Sequence, residues 1–408
     1  MTVEGVRPRP GRESTGRAAS TGGHGHEFHP DVEGLRAVAL FLVFFSAAGV
    51  PRLSGGVIGV DAFFVISGFL ITGLLVREVE RTGTVSLARF YARRARRIIP
   101  SAAFVLTATL GAVLVLAPEL ARALARDVVA ACLQVANWWL LVGDLDELSP
   151  QAAASPVKHY WTLAVEEQFY VLWPLLVIAV TALARRRGWP LRRSLFGALL
   201  GLSAVSLAVS ALVTPAAELL GYLGTGSRAW QFGAGGLLAL AAPRVVVACR
   251  APGVRRAVVA AGWAGALALG TSALWVVSLP YPGTVALVPT LGAVAVIAAG
   301  CAGTGRGTVG SVLSHPVLRF CGRLSYVWYL WHLPVVHLAH EAGVPDAWRV
   351  NLVLAVLSGL PALATMLLVE RPLRFSPLVA RSDRRGLLTG LVATAVPLTL
   401  AAAVLVTT

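Results

Sequence analysis

The chain has 408 residues, of which 56% are hydrophobic and only 13% charged. That is too little charge to cover a soluble domain of this size. A formal net charge of +15 would suggest nucleic acid as partner in a soluble protein. Here the basic residues sit between apolar segments, the pattern of cytoplasmic membrane loops, so composition argues against a soluble fold and against nucleic acid.

Residues 1–28 are polar and rich in Gly, Arg, Ser and Thr. They read as a disordered cytoplasmic tail, since no hydrophobic core follows a short basic start. The HGHEFH cluster with His24 and His26 is better explained as a solvated tail than as a metal site. Cys132, Cys249, Cys301 and Cys321 lack metal or disulfide spacing, and no metal is expected.

Apolar stretches of spanning length recur at about 34–50, 57–76, 99–117, 122–141, 160–183, 194–213, 227–242, 258–277, 284–301, 325–340, 349–369 and 386–407. Loop charge then tests the count. Seven arginines fall in 77–97 and five in 185–193, and crossing by every segment would put those loops on opposite sides, against the positive-inside rule. Segment 122–141 carries Arg122, Arg126, Asp127, Gln134 and Asn137, so it is expected to lie in the extracytoplasmic interface or to re-enter. The expectation is an all-α polytopic bundle with eleven spanning helices, N-terminus cytoplasmic and C-terminus extracytoplasmic. The loop with Asp144, Asp146 and Glu147 then lies outside, and 386–407 stands apart behind a basic linker as an accessory helix.

Several charged motifs enter these segments. Glu33-Gly-Leu-Arg36 starts the first, and position 47 lies on the face of Arg36 about 16 Å away. Alone, Arg36 reads as a topology anchor. GGVIGVDAFFVISGFLITGLL places Asp61 in an apolar run, where it needs a partner within the bundle, structural or functional. RFYARRARRIIP sets Arg89, Arg93, Arg94, Arg96 and Arg97 beside two aromatic residues. Guanidinium forks suit phosphate and rings can stack on a base, although lipid headgroups would draw the same residues.

HYWTLAVEEQFY opens another span with His159, Thr162, Glu166 and Glu167. The first three fall within one narrow helical face. A carboxylate near hydrocarbon costs roughly 2.5–3.5 kcal/mol on insertion scales and is usually paired and functional. GSRAWQFGAGG brings Arg228 into a span, and GRLSYVWYLWHLPVVH puts Tyr326, Tyr329, Trp331 and His332 on one helix. VERPLRF ends a span with Glu370 beside two arginines, an expected ion-pair clasp.

Together EGLRAVAL, GVDAFFVISGFLITG, FYARRARRIIP, HYWTLAVEEQFY, SRAWQFGAG, GRLSYVWYLWHLP and VERPL resemble the membrane acyltransferase family 3. Its members move acyl groups, often acetyl, onto cell-envelope carbohydrates and other hydroxyl acceptors. The motifs run in family order from about residue 30 to 375. The resemblance implies a ten-helix domain over 29–375, followed by a basic linker and an eleventh helix over 376–408. It implies acyl-CoA as the donor substrate, with no permanently bound cofactor. The donor's phosphates would lie at the arginines of 89–97, and the acceptor near His159, Thr162 and Glu166. Arg36 and Asp61 would pair or position the donor, with Glu167, Arg228, Tyr326 and His332 in the pocket. The implied location is the cytoplasmic (inner) membrane, among lipids.

One departure stands out. The family's first motif places a histidine eleven residues after its arginine, as base or acyl relay; here that position is Ala47. Ser46 is adjacent but points about 100° away. His-x-x-Ser-x-x-x-Glu reads His159, Thr162, Glu166, keeping the hydroxyl. The competing expectation is a non-catalytic binding or scaffold subunit of envelope assembly. A transporter would also place charges inside the membrane, but the motif order argues against it.

Overall fold

A computed structural model describes residues 29–145 and 155–407. The expected tail over 1–28, Asp146, Glu147 and the side chain of Asp144 lie outside the described residues. No strand occurs among the described residues, and the fold is an all-α membrane bundle.

Helix α1 (Pro30–Ala47) begins with proline and carries Asp31 and Glu33 in its first turn, where the backbone N–H groups are unpaired and favour negative charge. A 3-10 turn over Ser54–Ile58 leads into α2 (Gly59–Thr82), which ends at the left-handed Gly83, φ +86°. Ser86 caps α3 (Leu87–Leu116) by accepting from the Arg89 N–H. Segment 122–141 then breaks at Gln134, φ +59°, into α4 (Ala121–Cys132) and α5 (Ala136–Leu145). At 12 and 10 residues they rise about 18 and 15 Å, well short of the ~30 Å hydrocarbon core. Neither can cross, in agreement with the charge argument. The polar residues that made this segment a poor spanner tie it down instead. The Gln168 side chain donates to the Gln134 carbonyl (2.9 Å) and to Asn137 Oδ1 (3.0 Å), and Asn137 donates to the Leu223 carbonyl (3.1 Å).

Helix α6 (Tyr160–Arg187) ends in three arginines before Gly188, φ +66°. Then come α7 (Leu191–Val213), the short α8 (Glu218–Leu223), α9 (Thr225–Ala248), α10 (Pro252–Ser272), α11 (Leu287–Cys301) and α12 (Val309–Leu313). Helix α13 (Pro316–Glu341) is followed by α14 (Trp348–Leu357), α15 (Gly359–Thr365), a π turn over Met366–Glu370, and α16 (Arg371–Phe375). After α17 (Pro377–Ala380) the chain closes with α18 (Asp383–Thr407). Among the described residues seven helical stretches are long and apolar enough to cross a bilayer, those of α2, α3, α6, α7, α8–α9, α14–α16 and α18. Helices α1, α10, α11 and α13, expected as further crossings, pack within the same bundle, α1 on α13 and α10 on α11.

Glycine sets the closest crossings. A Cβ on Gly68 would lie 1.9 Å from the Phe232 carbonyl oxygen, and one on Gly235 2.0 Å from that of Val65. Helices α2 and α9 therefore meet backbone to backbone, as small residues permit in membranes. The last helix does not stand apart as the sequence suggested. Gly386 and Gly390 of α18 lie against Ala92 and Ala95 of α3, because small residues on both helices leave a groove that backbone contact fills.

The basic helix ends gather at one end of the bundle. Arg192 at the start of α7 forms a bidentate pair with Glu80 near the end of α2 (2.6 and 3.0 Å). Glu33 on α1 pairs with Arg319 (3.3 Å) and Arg323 (3.4 Å) on α13. The Glu370–Arg374 clasp forms as expected, at 2.9 Å.

Candidate active site in an intramembrane cavity

A cavity of about 900 Å3 opens among α1, α2, α3, α6 and α13. That is near the top of the ~300–1,000 Å3 range of small-molecule and cofactor sites. Its lining includes five arginines, Arg36 from α1, Arg77 from α2, Arg94 and Arg97 from α3 and Arg192 from α7. The same lining carries Ser67, Thr162, Glu166, Glu167, Tyr170, Tyr326 and Tyr329.

The group around Glu166 is built by helical spacing. Thr162, Glu166 and Tyr170 recur every four residues on α6, one above another on a single face. Ser67 of α2 faces them and donates to Glu166 Oε1 at 2.5 Å. The Tyr170 hydroxyl also donates to that oxygen and lies 3.2 Å from Ser67 Oγ. The Arg94 guanidinium stacks over the Tyr170 ring, a cation–π contact that fixes the phenol. Arg36 donates to Ser325 Oγ at 3.2 Å. At the end of the cavity Thr162 and Tyr329 share a hydrogen bond of 2.9 Å, and both hydroxyls lie within 3.2 Å of the His159 carbonyl oxygen.

His159 does not join Glu166 on that face. It sits just before α6 as its N-cap, so the first turn rotates its ring toward α13. There Nε2 lies 3.1 Å from the Leu330 carbonyl oxygen and the ring meets that of His332 at 5.0 Å. Neither histidine lines the cavity. The His159 Nδ1 atom is buried without a hydrogen-bond partner among the described residues. Phe44 stacks on His332 at 5.1 Å, and Ala47, one turn later, is the exposed last residue of α1. Glu166 therefore faces the cavity, whereas the two histidine rings meet each other and Tyr329 outside its lining.

The expected roles of Asp61 and Arg228 need correction. Asp61 pairs not with Arg36 but with Arg228 at 2.9 Å, and neither side chain is accessible. Tyr281 donates to Asp61, and Arg228 also donates to the Tyr222 carbonyl (3.0 Å) and to Gln231 (3.4 Å). This knot joins α2 to α9 away from the cavity wall. An arginine in a neighbouring helix was the nearer partner, a contact that sequence distance hides. The arginine cluster also divides. Arg94 and Arg97 line the cavity; Arg89, Arg93 and Arg96 do not. The helix turns Arg93 away, 3.6 Å from Glu78.

Sequence reasoning missed Ser67, Arg77, Tyr170 and Arg192. Tyr170 was detectable, since it lies four residues after Glu166. A serine in a glycine-rich helix carries no such signal, because it reads as a packing residue.

A family model described as an acyltransferase domain, that of acyltransferase family 3, matches residues 29–371. The chain is 44% identical over 148 residues to the O-acetyltransferase OatA of Staphylococcus aureus, covering 36% of this chain and 24% of that protein. It is 28% identical over 363 residues to the peptidoglycan O-acetyltransferase OatA of Listeria monocytogenes, covering 86% of this chain and 56% of that protein. The chain thus spans little more than half, or less, of the length of these relatives. No solved structure matches it.

Proposed function

Because this chain belongs to the membrane acyltransferase family 3, we propose that it moves an acyl group, acetyl by its relatives' names, from acyl-CoA to a hydroxyl of an envelope glycan such as peptidoglycan. The observation that carries this reading is the lining of the cavity, which brings guanidinium groups together with a hydroxyl-bound carboxylate. Arg36, Arg77, Arg94 and Arg97 line the same cavity as the hydroxyl-bound Glu166, with Arg94 over the Tyr170 ring, while Arg192 in that lining is paired with Glu80. Guanidinium groups suit the phosphates and diphosphate of a CoA ester, which would orient the thioester toward Glu166. Because the basic helix ends lie together, the positive-inside rule supports a cytoplasmic mouth, a cytoplasmic N-terminus and an extracytoplasmic C-terminus in the inner membrane.

The carboxylate takes the role of base on this reading. Ala47 offers no proton acceptor, whereas Glu166 already accepts from two hydroxyls. Arg94 and Arg97 would bind the donor, and Arg36 would hold Ser325 and add positive charge near the carbonyl. Glu167 and Tyr326 would shape the wall. The histidine pair, in contact with Tyr329 but outside the cavity lining, would face the acceptor.

The test is transfer of labelled acetyl from acetyl-CoA to peptidoglycan fragments by the purified protein in liposomes. The protein should transfer label, and Glu166→Gln should reduce transfer on the order of 10²–10⁴-fold, the usual worth of a general base. A second reading, a non-catalytic scaffold that keeps the fold, is favoured by Ala47. Acetyl-CoA binding without transfer by either the protein or Ala47→His would select it.

A further inference from the structure

We infer that Ser67 is a covalent acyl carrier, accepting the acyl group from the donor before it reaches the final acceptor. The inference rests on the acyl-CoA reading above and adds a step to it. Six hydroxyl-bearing residues line the cavity, Ser67, Thr162, Tyr170, Ser325, Tyr326 and Tyr329. The Thr162 and Tyr329 hydroxyls meet each other and the His159 carbonyl oxygen, and no carboxylate. Tyr326 donates to the Ile98 carbonyl at 2.8 Å, and Ser325 to that of Gly322 at 2.9 Å. A hydroxyl committed to a carbonyl has no base to take its proton. Ser67 and Tyr170 alone among these donate to a carboxylate.

Between those two, position decides. Tyr170 is buried and lies beneath the Arg94 guanidinium, which blocks a face of its ring and holds the hydroxyl against Glu166. Ser67 is only partly buried and opens into the cavity. Its Oγ lies 2.5 Å from Glu166 Oε1, within the reach a general base needs. Nucleophile, base and an orienting third group make the arrangement by which a weak hydroxyl is activated, with Tyr170 holding the carboxylate in place.

The chemistry balances without any further reactant. Ser67 Oγ attacks the thioester carbonyl of acyl-CoA, and its proton passes to Glu166. The adduct collapses, the C–S bond breaks, and the CoA sulfur leaves with the proton that Glu166 returns. In the second half the acceptor oxygen attacks the ester on Ser67. The acceptor's proton passes to Glu166, the bond to Ser67 Oγ breaks, and that oxygen recovers a proton. Arg36 and Arg94 place positive charge in the same cavity, where each tetrahedral adduct develops an oxyanion.

The experiment is acid-quenched reaction of the purified full chain with labelled acetyl-CoA and no acceptor, followed by mass spectrometry of the α2 peptide. The expected result is acetyl on Ser67 in a yield matched by released CoA, discharged when peptidoglycan fragments are added. Ser67→Ala should lose the label and at least on the order of 100-fold in transfer rate. Ser67→Cys should trap a thioester that neutral hydroxylamine cleaves, a readout that a misfolded protein cannot give. Transfer at the parent rate by Ser67→Ala, or label on Tyr170 alone, would overturn the carrier while leaving the transferase reading intact. Acetyl-CoA left uncleaved even with acceptor present would overturn both.

Discussion

Asp61 on α2 and Arg228 on α9 meet at 2.9 Å with neither side chain accessible. The pair sits inside a ring of aromatic and amide groups, Tyr222, Tyr281 and Gln231. Removing one partner of a buried pair leaves an uncompensated charge and costs about 3–5 kcal/mol. Asp61→Asn and Arg228→Gln should each lower the melting temperature of the detergent-solubilised protein sharply. The double variant Asp61→Leu, Arg228→Met should recover part of that loss. Melting curves that overlay the parent's for both single variants would refute a structural role for the knot.

The α2–α9 crossing gives a second prediction. Gly68→Ala places a methyl group where the Phe232 carbonyl oxygen already lies, 1.9 Å away, whereas around Gly111 nothing lies within 4 Å. Overpacking of this kind costs typically about 1–3 kcal/mol. Gly68→Ala should therefore reduce the yield of folded monodisperse protein on size exclusion, with Gly111→Ala behaving as the parent. Equal profiles for the two would contradict the backbone contact.

Donor binding separates arginines that the sequence treats alike. Arg94→Gln and Arg97→Gln should raise the KM for acetyl-CoA on the order of 10–100-fold, from about 1.5–3 kcal/mol per charged hydrogen bond lost. Arg89→Gln, outside the cavity wall, should leave it within about twofold. An equal rise for Arg89→Gln would locate the phosphates elsewhere on the arginine-rich helix.

Ala47 is exposed at the end of α1, so a larger side chain fits there without repacking. Ala47→His should raise transfer on the order of 10²-fold or more by adding a base beside the acceptor. An unchanged rate would mean that Glu166 alone meets the need for a base.

Single cysteines in a background without Cys132, Cys249, Cys301 and Cys321 test the orientation. Trp189→Cys follows the arginine-rich end of α6, and Glu341→Cys ends α13. Impermeant reagent added outside cells should label position 341 and spare position 189. Labelling of both from outside would undo the assignment of the cavity mouth to the cytoplasm.

Hydropathy and loop charge made the helical bundle legible, and the polar residues of 122–141 marked it as unable to cross. Those are local signals: helix formation, burial in lipid and the sidedness of arginine depend on residues close in the chain. The α6 face was nearly complete for the same reason, since Thr162, Glu166 and Tyr170 follow the helical repeat. Which residue faces which across helices was not legible. Arg228 takes Asp61 from 167 residues away, Ser67 reaches Glu166 from 99, and one turn at the start of α6 swings His159 to α13. Helix periodicity fixes the direction of a side chain only relative to its own axis. The partner depends on helix rotation and crossing, which backbone contacts such as Gly68 on Phe232 set once the bundle has packed.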